Sequence, residues 1–314
     1  MNISIIGAGA VGRLWGCKLA DKHKVHFWAR DDSQQLTIHL SGAEATSAIT
    51  PEATFQFDAN QPALLANSEL VLITVKAFQV EAAIQSIKAH LNPDTSIVIM
   101  HNGMGSQQTV LELLPENPII YATTAQAAFR PNKQDICHTG IGPTLLGLVT
   151  PQTITTQAIT SRAVDYQSLG QLFNDALPPC QWQDDINQPL WRKLAINCAI
   201  NPLTALHNCK NGKLAQKEFD SELNGVCQEV AEVMTAEGYP VTAVELRQQV
   251  DTVINATADN FSSMNQDVCH LRQTEIDYIS GYLIARAKAH NISAPHNQRL
   301  WLAIKELENK YHDQ

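Results

Sequence analysis

Lys193, Asn197 and Asn201 stand four residues apart inside the otherwise apolar run "WRKLAINCAINPLTAL" (191–206). A helix advances about 100° per residue, so positions i, i+4 and i+8 share one face. The spacing predicts a cation and two amides along one stripe, with Trp191, Leu194, Ile196 and Ile200 filling the other faces. One reading is structural: a lysine whose head snorkels to water, flanked by surface amides. The other is functional: three polar groups held in register along one stripe of a core-like helix mark a site. Pro202 adds weight to the second. It removes the backbone donor that would bond the carbonyl of Cys198 and biases Asn201 away from helical geometry, a break costing about 3 kcal/mol in an ordinary helix interior. Local rule-breaking of this kind concentrates at functional sites.

A second group of residues points to phosphate binding. "GAGAVG" puts Gly7, Gly9 and Gly12 in G-x-G-x-x-G spacing, with Ala10 and Val11 opening the following helix. The first glycine permits a tight turn, the second lets backbone approach a pyrophosphate, and the third lets helix and strand pack closely. The helix start offers free N–H groups and the positive end of its dipole. In "FWARDD", Arg30 occupies the place where an NAD site normally carries an acid for the ribose hydroxyl, and a guanidinium there favours the 2′-phosphate of NADP. Two further loops leave strand ends, where ligands gather in an open parallel sheet. "VKAFQ" carries Lys76 and Gln79, suited to cofactor phosphates or a substrate carboxylate, and "HNGMG" carries Asn102. Asn102-Gly103 could also be plain turn chemistry, but a helix-like segment follows rather than a hairpin partner.

The elements that must position these residues fall into two halves. "NISIIG" (2–7), "VHFWAR" (25–30), "LVLITVKA" (70–77), "SIVIMHN" (96–102) and "PIIYATT" (118–124) read as buried strands, alternating with helical segments such as 11–22 and 79–91. Strands apolar on both faces and separated by helices imply a parallel sheet covered on both sides. "HTGIGPTLLGLVT" (138–150) reads as a late hairpin closing that sheet. Beyond about residue 185 only helical periodicity remains, over 189–208, 213–237, 241–255, 263–272, 275–290 and 295–311. The expected architecture is an α/β, Rossmann-type doubly wound sheet over 1–184 that binds the dinucleotide, followed by an all-helical domain over 185–314.

Composition narrows the function classes. The 314 residues are 44% hydrophobic and 17% charged, ordinary for a globular chain of two domains. A net charge of -9 with no basic block argues against nucleic acid or an anionic membrane as partner. No apolar run reaches the roughly 18 residues of a membrane span, and no basic n-region precedes the first strand, so neither anchor nor signal peptide is expected. Seven scattered cysteines without a C-x-x-C pair read as reduced thiols of a cytoplasmic protein, and the eleven histidines form no ligand cluster, so no metal is expected.

Taken together, "WRKLAINCAINPLTAL", "HNGMG", "VKAFQV" and "NFSSMNQD…RQTEIDYISGYL" closely resemble ketopantoate reductase (2-dehydropantoate 2-reductase), over nearly the whole chain. The K-x-x-x-N-x-x-x-N-P and TEIDY-x-x-G segments are far more specific than the glycine motif. The resemblance implies NADPH-dependent reduction of ketopantoate to D-pantoate, on the way to pantothenate and coenzyme A. It implies a Rossmann-type domain, a helical domain that carries substrate and catalysis, and an active site in the cleft between them. Mechanistically, NADPH is expected to bind before substrate, with closure then excluding water. It makes Lys193 the general acid, whose pKa partial desolvation should lower toward working pH. Asn197 and Asn201 would hold the ammonium and contact substrate, and Asn102 would lie near lysine, cofactor and substrate. Glu275 would accept from the substrate's 4-hydroxyl, Ser263 would bind its carboxylate, and Asn260 would assist. The glycines, Arg30, Lys76 and Gln79 map onto NADPH contacts.

Structural readings stand beside these. Thr274 could cap a helix that Glu275 and Asp277 merely complement, and Ser263-Met-Asn-Gln266 is a capping-box pattern. Rival functions are reduction of another 2-oxo acid, a β-hydroxyacid or glycerol-3-phosphate type dehydrogenase, and a non-catalytic NADP(H) sensor. A sensor has no use for a positioned proton donor. The sequence does not specify whether the chain is a monomer or a homodimer.

Overall fold

The computed structural model describes residues 1–42, 53–149 and 166–313. The chain opens with β1 (Asn2–Ile6), α1 (Ala10–Leu19) and β2 (Lys24–Trp28). It then leaves the main sheet for β3 (Gln35–Ser41) and β4 (Ala53–Asp58), and returns through α2 (Pro62–Ala66) to β5 (Leu70–Ile73). Next come α3 (Val80–Ile87), β6 (Ser96–Ile99), α4 (Gln107–Leu113) and β7 (Ile119–Thr124). β8 (Ala127–Phe129), β9 (Asp135–Gly140), β10 (Thr144–Leu148), α5 (Tyr166–Ala176) and β11 (Cys180–Gln183) complete the α/β part.

The large sheet runs β11-β10-β7-β6-β5-β1-β2. Its strands are parallel except at the β7–β10 junction, where Thr124 faces Thr144 antiparallel. β1 lies between β2 and β5, with Ile3 opposite both Val25 and Leu70. Every residue of β5, β6 and β7 is buried, as strands covered on both faces must be. That is why their apolar runs are continuous rather than alternating. Ile3, Ile5, Trp15, Phe27, Leu72, Val98 and Phe173 belong to one core cluster there.

The smaller sheet, β4-β3-β9-β8, corrects two expectations. Its strands carry polar residues on one face, as in "ATFQFD", whose burial alternates, and so they do not read as core strands in sequence. The hairpin expected over 138–150 does not form. Residues 138–140 end β9 in the small sheet, whereas 144–148 form β10 in the large one. The Gly140–Pro143 link carries the chain between sheets, passing so near Ala125 that a Cβ on Gly142 would come within 2.7 Å of it. Residue 150, the last of that segment, lies outside the described residues.

The remaining chain is helical: α6 (Asn187–Leu206), α7 (Asp220–Ala236), α8 (Ala243–Ala256), α9 (Ser263–Cys269), α10 (Ser280–Ala289) and α11 (Pro295–Asn309). By contact density the molecule divides into two compact units, Met1–His101 with Ser106–Asn187, and Asn102–Gly105 with Gln188–Gln314. The fold is therefore a Rossmann-like parallel α/β unit and a helical unit, and the four-residue loop 102–105 packs with the latter. The helical core is built from Leu223, Val226 and Val230 of α7, Leu246 and Val250 of α8, Leu283 of α10 and Ile304 of α11. Arg247 ties α8 to α7 through Asp220 at 2.8 Å. The buried Glu229 accepts the N–H groups of His296 and Asn297 at 2.6 and 2.9 Å, satisfying two of the free donors that open α11. No helix among the described residues is long and apolar enough to cross a membrane.

Two helical expectations also change. Only 220–236 of the stretch 213–237 is α-helix, preceded by 3-10 turns at Asn211–Ala215 and Lys217–Phe219. The stretch 275–290 divides into a 3-10 turn, Ile276–Tyr278, and α10, with the break at Ile279 (φ -106°, ψ -93°).

Candidate active site

α6 continues through Pro202 to Leu206, so the break expected there is absent. Residues 198–205 are all buried, and packing on every side outweighs the lost backbone bond. Thr204 strengthens the region by donating its hydroxyl to Ile200 O at 2.8 Å and Asn201 O at 3.1 Å. The helix thus keeps Lys193, Asn197 and Asn201 in register on one face. Asn201 is buried, Lys193 and Asn197 half-buried. Asn197 Nδ2 is enclosed and finds no hydrogen-bond partner among the described residues. A buried amide donor of this kind suits a polar ligand group.

The Lys193 side chain is half-buried, with its ammonium desolvated by its surroundings. Burial pulls its pKa down from the ordinary lysine value to about 8, and the charge of Glu275 opposes part of that shift. Glu275 is itself buried and accepts a hydrogen bond from Asn102 Nδ2 at 3.2 Å. The loop bearing Asn102 is held by its backbone. Met104 N–H donates to Tyr278 O at 2.8 Å. Gly103 has φ +77°, and a Cβ there would lie 2.3 Å from the same carbonyl, so the position demands glycine. The Asn-Gly pair is therefore a docking turn and not a hairpin. Within the helical unit the structure brings Lys193, Glu275 and Asn102 into one electrostatic neighbourhood.

Asn260 and Ser263 are exposed, and neither side chain bonds directly to Lys193, Asn197 or Glu275 among the described residues. The expected Ser263 capping box is corrected: Ser262 is the cap of α9, accepting Asn265 N–H at 3.0 Å. Thr204 selects between the two serines through a hydroxyl–hydroxyl hydrogen bond to Ser262 Oγ at 2.7 Å, and Asn265 Nδ2 donates to Thr204 O at 3.0 Å. These contacts tie the start of α9 to α6 one turn beyond Asn201, leaving the Ser263 hydroxyl outward.

In the α/β unit the glycine turn has the geometry a dinucleotide needs. Gly7 sits at φ +99° directly after β1, and its N–H donates to Trp28 O at 2.9 Å. A Cβ on Gly12 would stand 2.2 Å from Gly7 O and 2.4 Å from Thr74 Oγ1, whereas one on Gly9 would meet nothing within 4 Å. The turn is closed where it packs and open at the second glycine, as approach by a pyrophosphate requires. The first backbone bond of α1 runs from Arg13 N–H to Gly9 O, so the N–H groups of Ala10, Val11 and Gly12 have no partner within the helix. Arg30 is exposed just beyond β2 and forms no ion pair with Asp31 or Asp32 among the described residues. Lys76 and Gln79 flank a 3-10 turn, with Gln79 Oε1 accepting Lys76 N–H at 3.3 Å, and Lys76 Nζ lies 5.9 Å from the Phe78 ring.

Several supports were not legible from sequence. Thr74 Oγ1 donates to Gly7 O at 3.0 Å and buttresses the turn. Asn60, at φ +53°, fixes the Arg30 loop by accepting Ala29 N–H at 2.8 Å and donating to Ser33 O at 3.0 Å. Arg13 and Arg130 both donate to Ala8 O, at 2.9 and 3.1 Å. Burial, and then the neighbouring Arg130, lower the Arg13 pKa to about 10. The one sequence signal for this pair is an arginine immediately after a G-x-G-x-x-G turn.

The profile of the family described as "Ketopantoate reductase PanE/ApbA" matches residues 3–151, and that of its C-terminal part matches residues 185–308. The chain belongs to the ketopantoate reductase family. Members of this family are oxidoreductases. A 2-dehydropantoate 2-reductase of Vibrio cholerae is 42% identical over 312 residues, covering 99% of each chain. One from Escherichia coli O157:H7 is 39% identical and covers 99% of this chain and 96% of its own. A crystal structure of a PanE/ApbA family ketopantoate reductase from Ralstonia eutropha superposes with a TM-score of 0.83 at 24% identity, covering 99% of this chain and all of that one, a likeness of fold. The resemblance drawn from the sequence motifs and the Rossmann-like fold with its helical C-terminal unit both stand.

Proposed function

We propose that this chain reduces ketopantoate to D-pantoate with NADPH, in the supply of pantothenate, with Lys193 as the proton donor. The observation that carries the reading is a desolvated ammonium with a pKa of about 8, under the influence of Glu275 and on the same stripe as an enclosed, unpaired amide donor. Around neutral pH such a group is still mostly protonated, yet it releases a proton more readily than an exposed lysine. The glycine turn with Ala10 and Val11 would hold the pyrophosphate, Arg30 the 2′-phosphate, and Lys76 and Gln79 adjoining polar groups of the cofactor. When bound, NADPH supplies the hydride that the reduction requires.

The chain's own residues do the rest. As negative charge develops on the ketone oxygen, the Lys193 ammonium stabilises it and gives up its proton there. Asn197 and Asn201 orient the ammonium and the substrate, with Asn102 assisting both substrate and cofactor. Glu275 accepts from the 4-hydroxyl of ketopantoate, while Ser263 and Asn260 contact its carboxylate end. The Glu275 charge also keeps burial from neutralising Lys193. A cytoplasmic setting is part of the reading, supported by seven cysteines that all stand as free thiols.

The decisive assay follows loss of reduced-nicotinamide absorbance with ketopantoate and with a panel of simpler 2-oxo acids, using NADPH and NADH in turn. Turnover is expected with ketopantoate and NADPH. Turnover only with another 2-oxo acid would remove the named substrate, and a preference for NADH would remove the role given to Arg30.

A further inference from the structure

The Glu275 carboxylate is carried by a segment with little rigidity of its own. It precedes a three-residue 3-10 turn, Ile276–Tyr278, that is joined to α10 through the irregular Ile279. Besides the bonds from the 102–105 loop, the segment is held by α11, at Trp301, Lys305 and Glu308, spaced i, i+4 and i+7 on one helix face. Glu308 is buried, and its Oε1 accepts both the N–H and the hydroxyl of Thr274, each at 2.7 Å. The Thr274 hydroxyl in turn accepts Ile276 N–H at 3.2 Å. Glu275 is thus bracketed by a bonded residue on each side. One position further on, Asp277 accepts Trp301 Nε1 at 2.7 Å and Lys305 Nζ at 3.0 Å, and Lys305 closes the network on Glu308 at 2.9 Å.

We propose that Glu308, supported by Lys305 and Trp301, is a specificity-determining positioning group: it fixes the backbone at 274–277 so that the Glu275 carboxylate meets the substrate's 4-hydroxyl. The proposal rests on the reading of Glu275 given above. The argument is one of cost. Burying a carboxylate is unfavourable, and an apolar side chain in a well-packed site gives equal or greater stability. The buried Glu308–Thr274 bonds, extended by the more exposed Lys305 and Asp277, define one geometry for the groups they touch, which apolar packing does not. Here the groups they touch flank the residue that must recognise a single hydroxyl. A site built to bond a hydroxyl discriminates against its absence strongly, provided the acceptor is held in place.

The test compares ketopantoate with 3,3-dimethyl-2-oxobutanoate, the same 2-oxo acid without the 4-hydroxyl, in Glu308→Leu, Glu308→Gln, Thr274→Val and Trp301→Phe. Glu308→Leu and Thr274→Val are expected to lower kcat/KM for ketopantoate about tenfold or more, mainly through KM, while kcat/KM for the deoxy analogue changes less than about threefold. Glu308→Gln keeps an oxygen that accepts from Thr274 and should restore most of the discrimination. Trp301→Phe, the mildest change, should lower discrimination by a smaller factor and keeps the test available if Glu308→Leu does not fold. Equal losses for both substrates, or no loss for either, would overturn the proposal. If the unaltered protein does not prefer ketopantoate, or Glu275→Gln leaves its preference intact, the reading of Glu275 fails and the positioning role falls with it.

Discussion

The glycine turn of the α/β unit and the α6 stripe of the helical unit are built on opposite principles. The turn works by what its residues lack: Gly7 adopts a positive φ, Gly12 leaves 2.2 Å where a Cβ would meet backbone, and the groups offered to an anion are main-chain N–H. The stripe works by what its residues add, a lysine and two amides in a helix that is buried throughout from 198 to 205. A backbone site tolerates any chain that bends correctly and so reports only on the class of ligand. A side-chain site depends on individual groups, and it carries the claim about chemistry. Substitutions in the two units should therefore separate binding of cofactor from turnover.

The largest effect is expected from Lys193→Ala. Loss of a general acid lowers kcat by about 10²- to 10⁴-fold, whereas the Kd for NADPH, followed by quenching of protein fluorescence, should change little. A variant that turned over within a few-fold of the unaltered protein would remove the lysine from the chemistry. Arg30→Met is the reciprocal experiment on the side chain proposed to give the α/β site a preference for NADPH. A lost charge-assisted contact amounts to about 1.5–3 kcal/mol, or roughly 10- to 100-fold in kcat/KM for NADPH, with values for NADH unchanged. If the two cofactors suffered equally, Arg30 would not be reading the 2′-phosphate, and the contrast between a generic turn and a selective side chain would weaken.

The same contrast explains which features the sequence revealed. β1, β5, β6 and β7 were legible because strands covered on both faces are continuously apolar, and G-x-G-x-x-G was legible because a backbone requirement leaves fixed glycines. β3, β4, β8 and β9 were not, since half-polar strands resemble loops until their partners are known. In the helical unit the periodicity of α6 placed Lys193, Asn197 and Asn201 on one face. It could not show that Pro202 would be absorbed by packing, because that depends on neighbours distant in sequence. Asn102 and Glu275 lie 173 residues apart, so only the family resemblance, and not spacing, linked them. Ser262 and Ser263 are adjacent and chemically alike. The choice of Ser262 as cap was made by Thr204, which the local pattern does not contain.

The smallest predicted effect examines the stripe from within. Because burial holds Lys193 at about 8, the protonated donor is depleted as pH rises through that value, and kcat/KM for the deoxy analogue should fall along an alkaline limb near pH 8. The charge of Glu275 raises this pKa against burial, so its removal must lower it and move the limb to more acidic pH. In Glu275→Gln the limb is expected at a lower pH than in the unaltered protein. Using the substrate without a 4-hydroxyl keeps the lost recognition of that group out of the profile. A limb that stays in place would mean that Glu275 serves recognition alone, and that Asn197 and Asn201 suffice to keep the ammonium charged. A limb that moves would assign Glu275 two roles, and would show that even in a site made of separate side chains one charge sets both which substrate is taken and the pH range over which the proton is available.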